Sequence, residues 1–306
     1  MIAMNSTRYQ EGRRANLAVI SSLARRVERQ IKGPLDQPMF FLHIPKCGGT
    51  SLTDALKSAY RTLDLRQERG LVALDPIASF DVAKKLFPNE VAAGEADDDN
   101  VDSHPFFAMR EVLLLYFMGM ERTRFVSGHF TFSELAYELF GSKYAFITML
   151  RDPVKRWLSG YFYSRYGKSD HRRTEMDLTS YLNSSRAQAG GSILVKFIGG
   201  PDPDGDYGSR RAIERAKENL HKFRLVGFIE YEQDFLNRFE AEFGMRLKLE
   251  RLNQSPRSES ARQSEVTPEV LERLQTVCRP DMEVYEYARD LFLRPEAKLV
   301  SMLQPA

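Results

Sequence analysis

The segment Met39-Phe-Phe-Leu-His-Ile-Pro-Lys-Cys-Gly-Gly-Thr-Ser-Leu52 constrains this chain more than any other. An apolar run breaks at a lysine, two glycines and two hydroxyls, and a helix-like pattern follows. That order predicts a buried strand over 39–43, a phosphate-cradling loop, and a helix from about Gly49 to Tyr60. Gly48 and Gly49 let the backbone turn tightly and come close to an anion. The N–H groups of Gly49, Thr50 and Ser51 fall in the first helical turn, where backbone donors lack an intrahelical acceptor. Lys46 adds a positive charge, and the Thr50 and Ser51 hydroxyls add donors.

The loop is not the ordinary nucleoside-triphosphate signature. That pattern, G-x-x-x-x-G-K-[ST], sets its lysine after the glycines and directly before the hydroxyl that holds magnesium. Here Lys46 precedes the glycines, and no glycine stands at the matching upstream position.

A second segment, Tyr144-Ala-Phe-Ile-Thr-Met-Leu-Arg-Asp-Pro-Val-Lys-Arg-Trp-Leu-Ser-Gly-Tyr161, repeats the strand-to-helix design. Tyr144 to Leu150 form a nearly continuous apolar run, as expected of a parallel strand buried on both faces. Arg151 follows at its carboxyl end. Asp152-Pro153 is a helix start, with Asp as cap and Pro at the first helical position. Ser159 lies about two turns beyond Arg151 and can face back toward it. A guanidinium fork with a hydroxyl suits a terminal phosphate dianion.

The order Pro45-Lys46-x-Gly48-Gly49-Thr50-Ser51-Leu52 resembles the 5′-phosphosulfate loop of sulfotransferases that use 3′-phosphoadenosine 5′-phosphosulfate (PAPS). His43-Ile-Pro-Lys-x-Gly-Gly-Thr-Ser51 is similar to the carbohydrate branch that includes heparan sulfate 2-O- and 6-O-sulfotransferases, most of which carry Thr where this chain has Cys47. Arg151-Asp-Pro-x-x-Arg-x-x-Ser-x-Tyr161 resembles the 3′-phosphate motif of the same enzymes. The resemblance implies donor contacts from Lys46, Cys47, Gly48, Gly49, Thr50, Ser51, Arg151 and Ser159. It also implies a PAPS donor, the product PAP, a carbohydrate or glycolipid-like acceptor and no metal. Leu252-Asn-Gln-Ser-Pro-Arg257 resembles a late loop that closes over the nucleotide, which adds Arg257. Ser192-Ile-Leu-Val-Lys-Phe-Ile-Gly199 resembles the acceptor side, with Lys196 facing an anionic sugar.

Sulfuryl transfer needs a base for the acceptor hydroxyl and a cation beside the leaving phosphate. By analogy with phosphoryl transfer, alignment and charge stabilisation dominate. Lys46 is the candidate cation. An imidazole suits the base, and the chain holds five: His43, His104, His129, His171 and His221. His129 ends the strand-like segment Arg124-Phe-Val-Ser-Gly-His129, at the sheet edge expected to carry both anion loops. Ser-Gly-His-Phe also resembles the segment bearing the catalytic His of the 2-O- and 6-O-sulfotransferases. His43 is the rival by proximity to Lys46 and is expected to brace the loop; His104 could touch the acceptor. No His, Cys, Asp and Glu set has metal-ligand spacing.

The chain has 306 residues, 42% hydrophobic and 28% charged, which suffices for a full core. A net charge of +2 gives no nucleic-acid footprint. Two cysteines exclude a disulfide framework and point to a reducing compartment. No run approaches the roughly 18–20 apolar residues of a membrane span, and the N-terminus lacks the apolar core of a secretory signal. Animal enzymes of the resembled branch are Golgi-anchored, so a soluble, bacterial-type, cytoplasmic enzyme is expected here.

Alternating strands and helices predict an α/β fold: a P-loop-like parallel sheet with helices on both faces and helical insertions. Residues 1–34 are expected to be an amphipathic helical extension, helical over 11–31, packing on the domain or on a second copy as a homo-oligomer. Residues 35–306 form a single domain in this reading. Further strands are expected at Leu225–Tyr231 and Arg246–Leu252. Helices are expected at Ser133–Phe140, Ser209–His221, Glu232–Phe243, about 268–278 and about 281–292. The acidic tract at Glu95 and Asp97–Asp99 reads as an exposed loop, and 62–104 has no clear pattern. Lys168, Arg172 and Arg173 read as a solvated basic run.

Overall fold

A computed structural model describes residues 35–60, 70–88, 104–167, 173–250 and 265–293. The expected N-terminal helix, the acidic tract, His171, Lys168, Arg172 and Arg257 lie outside the described residues.

Five parallel strands run β1 (Met39–Leu42), β2 (Leu71–Ala73), β3 (Phe125–Gly128), β4 (Ala145–Leu150) and β5 (Leu225–Phe228), in spatial order β2-β3-β1-β4-β5. The chain leaves the central strand β1 for the β2 edge, returns through β3, then crosses to β4 and β5 on the other side. The order therefore reverses around β1, the place where open α/β sheets bind ligands beyond their carboxyl ends. Leu42 pairs with both Gly128 and Thr148, so the loops after β1 and β3 leave the sheet at one level and β4 runs two residues further, to Leu150.

Strand alternation sorts the apolar side chains into two cores. Phe40, Leu42, Val126, Phe146 and Phe228 face one; Met39, Phe41, Phe125, Ile147 and Leu225 face the other. Each fully buried phenylalanine removes enough apolar surface to favour folding by about 1.5–3 kcal/mol. The first core is covered by α3 (His104–Gly119), α4 (Glu134–Phe140), α8 (Ile193–Gly199), α9 (Arg210–Leu220) and α12 (Arg279–Leu293). The second is covered by α1 (Gly49–Tyr60) and α10 (Glu232–Phe243). A separate aromatic cluster, with Trp157, Tyr161 and Tyr181, joins α5 (Pro153–Tyr166), α6 (Leu178–Leu182) and α11 (Pro268–Val277). Two more helices, α2 (Pro76–Leu86) and α7 (Ser185–Ala189), complete the described set, and α2 packs on α3 through Phe80 and Phe106.

Helix starts follow capping chemistry. Ser133, Ser209 and Thr267 each accept the N–H three residues on. The expected strand at Arg246–Leu252 is corrected: 246–250 are described and carry no strand. Met245 and Leu247 are buried and Leu249 packs beside them because this segment lines the second core, so its alternation reflects one-sided burial rather than a ladder. Among the described residues, no helix is long and apolar enough to cross a membrane.

Candidate active site

The β1–α1 loop is shaped for close approach of a ligand to backbone. Lys46 has φ +65° and Gly48 has φ +72°, and among the described residues Lys46 is the one non-glycine in the left-handed region. Cys47 turns its thiol into the core, where burial pushes its pKa up to about 12. Its N–H donates to the Ile44 carbonyl at 3.4 Å. Cys47 therefore shapes the turn, while Gly48 and Thr50 are exposed. The His43 ring lies against Gly49: a methyl there would sit 2.0 Å from Cδ2 and 2.2 Å from Nε2. Gly49→Ala is expected to cost about 1–3 kcal/mol by overpacking and to displace the loop. A lower thermal midpoint would register the overpacking.

The second loop touches the first. Arg151 follows β4, and its Nη1 donates to the Lys46 carbonyl at 3.3 Å. Asp152 caps α5, accepting from the Lys155 N–H at 2.9 Å with Pro153 behind it. The Lys46 amine lies 3.2 Å from the centroid of the Tyr163 ring, whose negative face favours a cation. Tyr163 is one turn beyond Ser159, so the two share a helix face; Ser159 is half-buried. The lysine, the Arg151 corner and the Ser159 face are thus neighbours.

His129 follows Gly128 at the end of β3. Its ring is perpendicular to that of His43, with centroids 4.9 Å apart, and it stands 6.2 Å from Phe197. Arg110, buried in α3, donates to the His129 carbonyl at 2.7 Å and to Ser79 Oγ at 2.9 Å. Desolvation, with the Arg110 and Lys46 cations behind it, pushes the His129 imidazole down to about 3. Desolvation and then His129 hold His43 well below its ordinary value. Both rings are accordingly neutral at pH 7. Because these folded values lie below the ordinary 6.5, their stabilising contribution is present above about 6.5 and is lost as the pH falls toward the folded values. The urea midpoint is expected to fall between about pH 7 and pH 4, less steeply in His129→Asn.

His221 bonds Tyr287 Oη at 2.7 Å on the exposed surface. His104 begins α3, and Arg173 pairs with Glu175 at 2.7 Å. Lys196 is buried, its amine 5.3 Å from the Phe107 ring and 5.5 Å from the Tyr207 ring. Among the described residues, no three His, Cys, Asp or Glu side chains gather into a metal site.

No protein-family model matches the chain. It is 28% identical to heparan sulfate 2-O-sulfotransferase 1 of Gallus gallus over 189 residues, 55% of this chain and 52% of that protein. The Xenopus laevis protein of the same name is 32% identical over 133 residues, 38% of this chain and 36% of that protein. Uronyl 2-sulfotransferase of Mus musculus is 26% identical over 186 residues, 52% of this chain and 45% of that protein. The chain is a sequence relative of carbohydrate sulfotransferases. It spans about half the length of the Gallus gallus relative.

Three residues beside the site were not singled out from the sequence. Tyr163 could have been found by extending the Arg151–Ser159 helix face one more turn. Arg110 is a lone cation within the apolar run of α3, itself a signal that its charge has a buried partner. Glu230 is the second residue after β5 and accepts the Asp152 N–H at 3.1 Å; its sequence signal was a carboxylate just past the end of a buried apolar run.

Proposed function

We propose that the chain transfers a sulfuryl group from PAPS to a hydroxyl of a carbohydrate acceptor. The observation that carries this reading is the meeting of Lys46, His129 and Arg151 at the carboxyl ends of three adjacent strands, with Arg151 bonded to the Lys46 carbonyl. Sequence similarity to two kinds of 2-O-sulfotransferase supports it.

In this reading the glycine loop fits an anionic group: Gly48 is exposed in the turn, and the first N–H groups of α1 would serve it together with Lys46. The Arg151 guanidinium and the Ser159 hydroxyl hold the 3′-phosphate. His129, neutral at pH 7, takes the acceptor proton as the acceptor oxygen bonds to sulfur and the bond from sulfur to the phosphate oxygen breaks. Lys46 offsets the charge left on that phosphate, so the products are a sulfate ester, PAP and a protonated His129 that returns its proton to water. Desolvation, and then the Arg110 and Lys46 cations, keep His129 a weak base. Donor anions beside Lys46 offset the cationic field and raise its basicity, so the base gains strength once the donor is in place.

Incubation with radiolabelled PAPS and a panel of desulfated polysaccharides tests the proposal. Label is expected in at least one polymer, and Arg151→Ala is expected to raise the donor KM by about tenfold or more through loss of a charge-assisted contact. Absence of label from every carbohydrate, with the folded enzyme at high concentration, would overturn it.

A further inference from the structure

The turn that follows β5 touches both anion loops from behind. Residues Ile229–Tyr231 form a single helical turn at the carboxyl end of that strand. Phe228 pairs with Leu150, so this turn lies alongside Arg151 and Asp152. Ile229 rests on the first loop: a methyl on Gly48 would fall 2.6 Å from Ile229 Cδ1 and 3.1 Å from Cγ1. Glu230 holds the second loop, its Oε1 accepting the Asp152 N–H at 3.1 Å. Its Oε2 accepts from the Tyr285 hydroxyl on α12 at 3.0 Å. Burial, and then the adjacent carboxylate, raise the Tyr285 phenol above its ordinary value, so the proton stays on Tyr285 and the bond keeps this sense.

Both oxygens of Glu230 therefore have donors, and its carboxylate bridges the Arg151 corner to a helix packed on the first core. Arg151 reaches across to the Lys46 carbonyl, while Ile229 stands under Gly48. The two loops are joined directly on one side and through Ile229 and Glu230 on the other.

We infer that Glu230 is a positioning residue that fixes the Arg151 corner relative to the glycine loop, and so sets the span over which one nucleotide engages two phosphate sites. This rests on the donor reading above. Glu230 touches no reacting atom; it acts through the backbone of Asp152. A ligand with one phosphate needs only one loop and should be indifferent to the brace. A ligand with phosphates at both ends gains from both loops only when their separation is held, since misplacement forfeits the advantage of a preorganised second contact.

The test is calorimetric titration of wild type, Glu230→Ala, Glu230→Gln and Tyr285→Phe with PAP and with adenosine 5′-monophosphate. The ratio of the two affinities reports the spacing, and the binding stoichiometry reports the folded fraction, so loss of folded protein alone leaves the ratio unchanged. Glu230→Ala is expected to lower the ratio by about tenfold by releasing the corner, with 5′-monophosphate affinity within about twofold of wild type. Glu230→Gln is expected to keep the ratio, because its amide oxygen accepts from Asp152 and its NH₂ donates to the Tyr285 oxygen. Tyr285→Phe, which removes one anchor, should fall between them. An unchanged ratio in Glu230→Ala, or loss of the ratio in Glu230→Gln as in the alanine variant, would overturn the brace. A wild type that binds PAP no tighter than the monophosphate would overturn the donor reading, and the brace with it.

Discussion

His129→Ala is expected to lower kcat by about 10²–10⁴-fold, the range for loss of a positioned general base, while PAP affinity stays within about twofold of wild type. It follows β3, its ring 4.9 Å from that of His43 and close enough to Lys46 for that cation to depress its basicity. His43→Ala separates base from brace. His43 covers Gly49, so its loss should loosen the glycine loop and weaken nucleotide binding together with kcat. The pH profile sharpens the assignment. For the free enzyme His129 is pushed down to about 3 by desolvation, Arg110 and Lys46. The acid limb of kcat/KM for the donor is therefore expected well below 6.5, and that of kcat, which reports the complex, at higher pH. Retention of nearly full kcat in His129→Ala would remove it as the base.

The second large effect concerns stability. Asp281→Ala is expected to destabilise the fold by about 3–5 kcal/mol, because removing one partner of a buried ion pair strands the other charge. Asp281 is fully buried, its Oδ2 3.9 Å from Arg156 Nε, and Arg156 is buried too. The Asp281 Oδ1 also accepts the Val195 N–H at 3.0 Å near the start of α8, so the same change uncaps that helix. Arg156 donates as well to the Gly190 carbonyl, which ties α5 to the segment leading into α8. Asp281→Asn keeps an oxygen for Val195 and loses only the charge, so its midpoint in urea should lie between wild type and alanine at unchanged m-value. Equal midpoints for wild type and alanine would show that the pair carries no net stability.

Legibility from sequence followed burial. Strands β1, β4 and β5 are buried at every residue on both faces and read as apolar runs. Asp152 caps the helix after β4 and Ser209 the helix before β5, both at the expected places. Strand β2 left no such mark: it is three residues long, lies at the sheet edge and is partly exposed, so neither a run nor an alternation defines it. Helix α3 is apolar around most of its circumference, which weakens the 3.6-residue signal that would have announced it. Of the proposed site, Lys46, His129 and Arg151 stand out in the sequence because each falls in the segment that follows a strand, β1, β3 or β4, within a motif of recognisable residue types. Tyr163 was within reach of the same helical spacing, whereas Arg110 and Glu230 act through contacts between different elements, which residue spacing does not encode.

One measurement bears most directly on the claim that a single nucleotide bridges the Lys46 loop and the Arg151 corner. It is calorimetric titration of the folded protein with PAP and with ATP, each with and without magnesium. PAP is expected to bind without the metal and at least about tenfold tighter than ATP, a gap of about 1.4 kcal/mol. ATP binding that requires magnesium and equals or exceeds that of PAP would contradict the claim and point instead to a nucleoside-triphosphate enzyme.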